Sequence, residues 1–218
     1  MNDTTLIKII SMTFDYKKPG FTVESDWFFL AFLCLLFIIG YVIAKLIKRN
    51  NFPLVDLEIE ISGSPKAVFK AKRDDSNIYI ANRIYIELIT RKAAILIDEQ
   101  TDVISEVYSS WYKLFGIIRD EVKNVPGHYL RSHDSTNALI GLSTKILNDG
   151  LRPHLTKYHA VYEKWYIMEL AKASSTGLSP QEVQRKFDKY DELIVDMKKV
   201  NQILIDYSKE LKKLIEGK

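Results

Sequence analysis

The chain has 218 residues, of which 47% are hydrophobic and 27% charged, with a formal net charge of +3. So small a charge does not demand nucleic acid as a partner, and a single cysteine excludes an intrachain disulfide framework. Setting aside the first 50 residues leaves about 170, enough for one domain with its own core.

Residues 1–25 form an N-terminal segment. It holds an apolar run, Leu6 to Met12, followed by Pro19-Gly20. A short interfacial element and a simple tail both fit this composition. Trp27 to Ile47 then reads WFFLAFLCLLFIIGYVIAKLI, with no charge between Trp27 and Ala44. As a helix those residues rise about 27 Å, close to the roughly 30 Å hydrocarbon core of a bilayer. Only a helix satisfies its own backbone polar groups in lipid, so a transmembrane helix is expected over 26–49. A cleaved signal peptide is the competing reading. It wants a basic start directly before the apolar run and small residues after it. Here Asp15, Glu24 and Asp26 precede the run, and Lys45, Lys48 and Arg49 follow. The basic cluster places the C-terminal side in the cytoplasm. Cys34 lies inside the apolar run, and the absence of any other cysteine suits a reducing compartment.

Residues 50–74 read as a linker and a β-hairpin. Asn50-Asn51-Phe52-Pro53 breaks the helix, and Val55, Leu57, Ile59 and Ile61 alternate with acidic residues. After Gly63-Ser64-Pro65, Ala67, Phe69 and Ala71 alternate with lysines. A loop over 62–66 sets Glu58 opposite Lys70 and Ile59 opposite Phe69. A lone hairpin is marginal in water, so it must dock on helices or on another subunit.

Residues 75–218 read as a helical bundle. Ala81, Ile84, Tyr85 and Leu88 form one stripe; Val103, Val107, Trp111, Leu114, Ile118 and Val122 form another. Leu139, Leu142 and Ile146 mark a third helix, stopping near Asp149-Gly150. Leu155, Tyr158, Tyr162 and Trp165 mark a fourth. A fifth opens with Ser179 as N-cap, Pro180 at the first helical position and Glu182 completing a capping box. It is expected to run to Glu216, roughly 55 Å. Val183, Phe187, Tyr190, Ile194, Met197, Asn201, Leu204, Ser208, Leu211 and Ile215 form its heptad seam, in which Asn201 would select a register. Leu193, Val200, Tyr207 and Leu214 widen the seam, so it buries against its own bundle or against a second subunit. Along this helix Arg185, Lys186, Lys189, Lys198 and Lys199 are interleaved with Asp188, Asp191, Glu192 and Asp196, which describes a solvated face.

Four histidines, His128, His133, His154 and His159, carry no zinc spacing, and neither a phosphate-binding loop nor a nucleophile elbow occurs. No metal and no cofactor is expected. The constellation that could carry chemistry is Arg152-Pro-His-Leu-Thr-Lys-Tyr-His159. Pro153 suits a first helical position, which puts Arg152 at an N-cap beside the positive end of the helix, a natural place for an anion. His159 falls about two turns inward. A histidine titrating near neutrality beside a fixed cation could move a proton on a phosphodiester. The alternative is a capped helix with a histidine bonded inside the bundle.

An Arg-x6-His pattern at a late helix of an all-helical domain resembles a HEPN domain. Glu87 to Lys92 and Glu106 to Tyr112 also look like its first two helices. With the membrane helix in front, residues 26–175 resemble the HEPN-domain transmembrane accessory proteins of type VI-B CRISPR systems. The resemblance implies Arg152 and His159 as motif residues, with His154 as the alternative histidine. It implies a homo-oligomeric ring around a membrane pore that strengthens antiviral defence. The implied partners are the chain itself, the lipid bilayer and an RNA-guided effector or its RNA products. A membrane-anchored, metal-independent ribonuclease using the same two residues is a second expectation, and a passive scaffold a third. The span carries only Cys34, Gly40 and Tyr41 as breaks in its apolarity, so a pore lined by it would dewet unless gated.

Overall fold

The computed structural model of the chain describes residues 10–15, 20–25, 27–49, 52–61, 65–132, 134–173 and 177–217. Two compact units divide it, residues 1–52 and residues 53–218.

In the first unit, β1 (Ile10–Asp15) and β2 (Gly20–Ser25) form an antiparallel hairpin with Met12 opposite Val23 and Phe14 opposite Phe21. A paired hairpin stands where a simple tail is one of the two expected readings. The signal is the alternation of Ile10, Met12 and Phe14 with Ser11 and Thr13, answered by Phe21 and Val23. Leu6 to Ile9 lie outside the described residues. Helix α1 (Trp27–Arg49) follows. Its stretch Phe29–Leu46 spans 18 residues, and none of it is buried within the chain. This helix is long and apolar enough to cross a membrane. Trp27, Cys34 and Tyr41 are seven residues apart, so they share one side, with Lys45 one turn beyond.

The second unit opens with β3 (Leu54–Ile59) and β4 (Ala67–Lys72). Their register differs from the expected one by two residues: Glu58 faces Val68, Leu57 faces Phe69 and Asp56 faces Lys70. A two-residue slip keeps every side chain on its face, so Leu57, Ile59, Ile61 and Ala71 still point into the core. The hairpin docks within its own chain. Glu210 Oε2 accepts the Glu58 N–H at 2.8 Å, and Phe69 packs against Gly141.

Helix α2 (Asp75–Ile89) is capped by Asp74, which accepts the Asn77 N–H at 2.8 Å. Helix α3 (Ile104–Lys123) has no cap of its own; the buried Gln184 accepts the Ile104 N–H at 2.9 Å instead. The short α4 (Gly127–Ser132) leads to α5 (Asp134–Lys145). His133 lies outside the described residues.

The expected stop at Asp149-Gly150 is absent. Two wide turns, Ile146–Leu151 and Leu155–His159, flank the single turn α6 (Arg152–His154) and lead into α7 (Ala160–Ala173). All of 134–173 is one helical run. Within the first wide turn the Arg152 N–H reaches back five residues to the Leu147 carbonyl. Proline cannot donate and crowds the carbonyl four residues back, so a helix crossing Pro153 must widen or kink. Gly150 is not a stop signal. It is buried where a Cβ would meet Ile203 at 3.4 Å, so it permits close helix packing.

The capping box at Ser179 and Glu182 forms as expected, opening α8 (Pro180–Gln184). The fifth helix is nevertheless interrupted. Residues 185–189 tighten into three-residue turns, with Lys186 N–H to Val183 O at 3.0 Å and Tyr190 N–H to Phe187 O at 2.9 Å. Helix α9 (Tyr190–Glu216) then runs 27 residues. Its seam, from Tyr190 to Leu211, is buried inside the chain, as are Leu193, Val200, Tyr207 and Leu214. Asn201 is engaged within its own chain. Its side chain donates to Ala93 O at 2.7 Å and Ile95 O at 3.0 Å and accepts from Ile97 N–H at 3.2 Å. It thereby holds the connection between α2 and α3.

Candidate functional site

Arg152 sits in the middle of a helical run, with φ −58° and ψ −42°, not at a helix start. The expected ring of free amides around it is therefore missing, because those amides are spent on helical turns. Its Nε donates to Asn148 Oδ1 at 3.2 Å, and its guanidinium lies 5.0 Å over the Phe115 ring. The side chain remains exposed. His159 is half-buried, 4.6 Å from the Tyr112 ring and 4.9 Å from Tyr108. Phe115 and Tyr112 are three residues apart on α3, so the structure sets Arg152 and His159 against one ridge of that helix.

The two candidate histidines have different environments. His154 is buried, 2% exposed, and both ring nitrogens are engaged. Nδ1 lies 2.7 Å from Asp196 Oδ2, and Nε2 lies 3.1 Å from the Tyr108 hydroxyl. Burial lowers its pKa more than Asp196 raises it. A neutral ring donating from Nδ1 to the carboxylate and accepting the Tyr108 O–H at Nε2 satisfies all three groups. Burial pushes the Tyr108 hydroxyl far above its ordinary range, in keeping with its role as donor. His154 is thus a bonded core histidine. The partners Tyr108 and Asp196 are 46 and 42 residues away in sequence, and no spacing announces them.

His159 makes no hydrogen bond among the described residues, and partial burial lowers its pKa. One turn on, Glu163 has a raised pKa, from burial first and then from the neighbouring carboxylate of Glu106. Glu163 was not foreseen, although its i+4 spacing from His159 was in plain view. A neutral imidazole, a carboxyl group that holds its proton more tightly than usual and an exposed guanidinium therefore line one side of the α3–α7 packing. Such groups can move a proton and attract an anion. Among the described residues, no three His, Cys, Asp or Glu side chains are grouped to hold a metal ion. His128, exposed on α4, lies apart from this ridge in the sequence, with its ring 4.1 Å from that of Tyr129 and tilted to it by 42°.

Family models, curated proteins and solved structures were each compared with this chain, and none matches it. The likeness to HEPN-domain accessory proteins thus rests on residues and layout alone.

Proposed function

We propose that the chain is a single-span membrane protein of antiviral defence that assembles as a homo-oligomer and permeabilises the bilayer, in the manner of the type VI-B accessory proteins it resembles. The observation that carries this reading is the helical stretch Phe29–Leu46, apolar except for Lys45 near its end and with no residue buried within the chain. Uncovered apolar surface of that length suits lipid and not water. The side bearing Trp27, Cys34 and Tyr41 offers the most polar lining for a ring of such helices. Lys45, with the basic residues that follow, supports a cytoplasmic bundle. Dye release from liposomes and bilayer recordings test the reading. Release that requires assembled particles is expected; a persistently monomeric, non-conducting protein in mild detergent and in liposomes overturns it.

A second reading, a membrane-anchored ribonuclease, is favoured by one observation: Arg152 and His159 both lie against aromatic rings of one α3 ridge. RNA cleavage that is lost in both Arg152→Ala and His159→Ala supports it. An intact chain without cleavage, alone or with the RNA-guided effector, removes it.

A further inference from the structure

The break at residues 185–189 opens a cavity of about 400 Å³ against α7. That is within the range of small-molecule sites, roughly 300–1,000 Å³. Its apolar wall is aromatic. Trp165 is partly exposed, its ring lies 5.0 Å from Phe187, and Tyr158 also lines the cavity. Its lining residues include Lys157, Lys186 and Lys189 and one acid, Asp188, with Glu192 and Glu182 within electrostatic reach of Lys189 and Lys186. Lys157 is committed to Glu192 at 2.7 Å. Lys186 and Lys189 are exposed and make no ion pair among the described residues. A larger hollow of about 610 Å³ beside α2 and α3 lacks this character, because Arg83 there is closed on Glu121 by two hydrogen bonds of 2.7 and 2.6 Å.

We propose that the cavity between α7 and residues 185–189 binds a nucleotide, with the base stacked on Trp165 and the phosphate between Lys186 and Lys189. A flat ring beside an anion is the chemistry that an indole face and two unpaired ammonium groups select together. The uninterrupted helix that the heptad pattern implies could not make this site. The three-residue turns carry Phe187 inward onto Tyr162 and Trp165 while Lys186 and Lys189 stay in solvent. The site is independent of the membrane reading and uses neither Arg152 nor His159. A free mononucleotide and the phosphorylated end of an RNA carry the same group, so both belong in the test.

Calorimetry on the full chain in neutral phosphatidylcholine nanodiscs tests this, with AMP, a 5′-phosphorylated oligoadenylate, adenosine and inorganic phosphate as probes. AMP, the oligoadenylate or both bind, and adenosine and phosphate bind at least about tenfold more weakly. Trp165→Ala and the double substitution Lys186→Ala/Lys189→Ala each weaken binding at least about tenfold, and Trp165→Phe retains most of it. The lysines are exposed, so their loss tests the charge without disturbing the core. Preference for AMP over the oligoadenylate indicates a free ligand; the reverse indicates an RNA end. Absence of saturable binding by either, binding that survives the lysine substitutions, or phosphate binding as tightly as AMP overturns the proposal.

Discussion

Single polar side chains hold this bundle together, and their effects can be separated by substitution. Asn201 satisfies three backbone groups of the α2–α3 connection. An aspartate in its place cannot donate to the two carbonyls, so Asn201→Asp should lower the unfolding free energy by about 2–4 kcal/mol in a denaturant titration. Tyr162 gives the opposite expectation. Its hydroxyl is buried with no hydrogen-bond partner among the described residues, so Tyr162→Phe should leave stability unchanged or raise it by up to about 1 kcal/mol, and a clear loss would show that the hydroxyl is bonded. His154 sets a pH response. Its folded pKa is lower than its ordinary value of 6.5, so the unfolded chain takes up the proton first as the solution becomes acidic. Stability contributed by the neutral ring is therefore present above pH 6.5 and declines below it, until the folded pKa is passed. The titratable groups near the ring are Tyr108, Tyr158, Lys157 and Asp196. The thermal midpoint should fall between about pH 7 and pH 5, and His154→Gln should flatten that fall while lowering the midpoint at neutral pH.

Among the elements, those with a strong period and a clean cap were legible in advance. Asp75–Ile89 and Ile104–Lys123 follow apolar stripes, and Ser179 with Glu182 forms the expected capping box. The misreadings share a cause. Gly150 and Pro153 carry the local signature of a stop and a start, yet tertiary packing carries the helix through both. In α8 and α9 the period is unbroken but the backbone is not, since Phe187 reaches its aromatic neighbours only from a tightened turn. Of the site, Arg152 and His159 could be named from spacing alone. Tyr108 and Asp196 could not, because they come from distant segments. Gly150 offers a direct check. Gly150→Ala places a methyl at ordinary contact from Ile203 and adds helix propensity, so stability should hold or rise by up to about 1 kcal/mol. Gly150→Leu overfills the contact and should cost about 1–3 kcal/mol in the same measurement.

For the whole molecule, the division at Phe52 has an experimental counterpart. Residues 53–218 bury a continuous core that includes Trp111, Tyr108, Tyr162 and Tyr207. A chain beginning at Pro53 should fold with a cooperative melt and remain in the aqueous phase on detergent partitioning, whereas the full chain should enter the detergent phase with α1 intact. A fragment that precipitates, or melts without cooperativity, would show that the first unit is needed for the second to fold.

The fastening of Glu58 to Glu210 also governs where a mechanical load would travel. Tension on α1 must enter the second unit at Pro53, whose carbonyl accepts the Arg73 N–H at 2.9 Å, and then pass along β3. From there the Glu58–Glu210 bond and the Arg73 hold on the Ile215 carbonyl at 2.9 Å pass it to the C-terminal helix before the α3 ridge is strained. Under a pull on α1, the last described helix, α9, would be among the first to bear the strain.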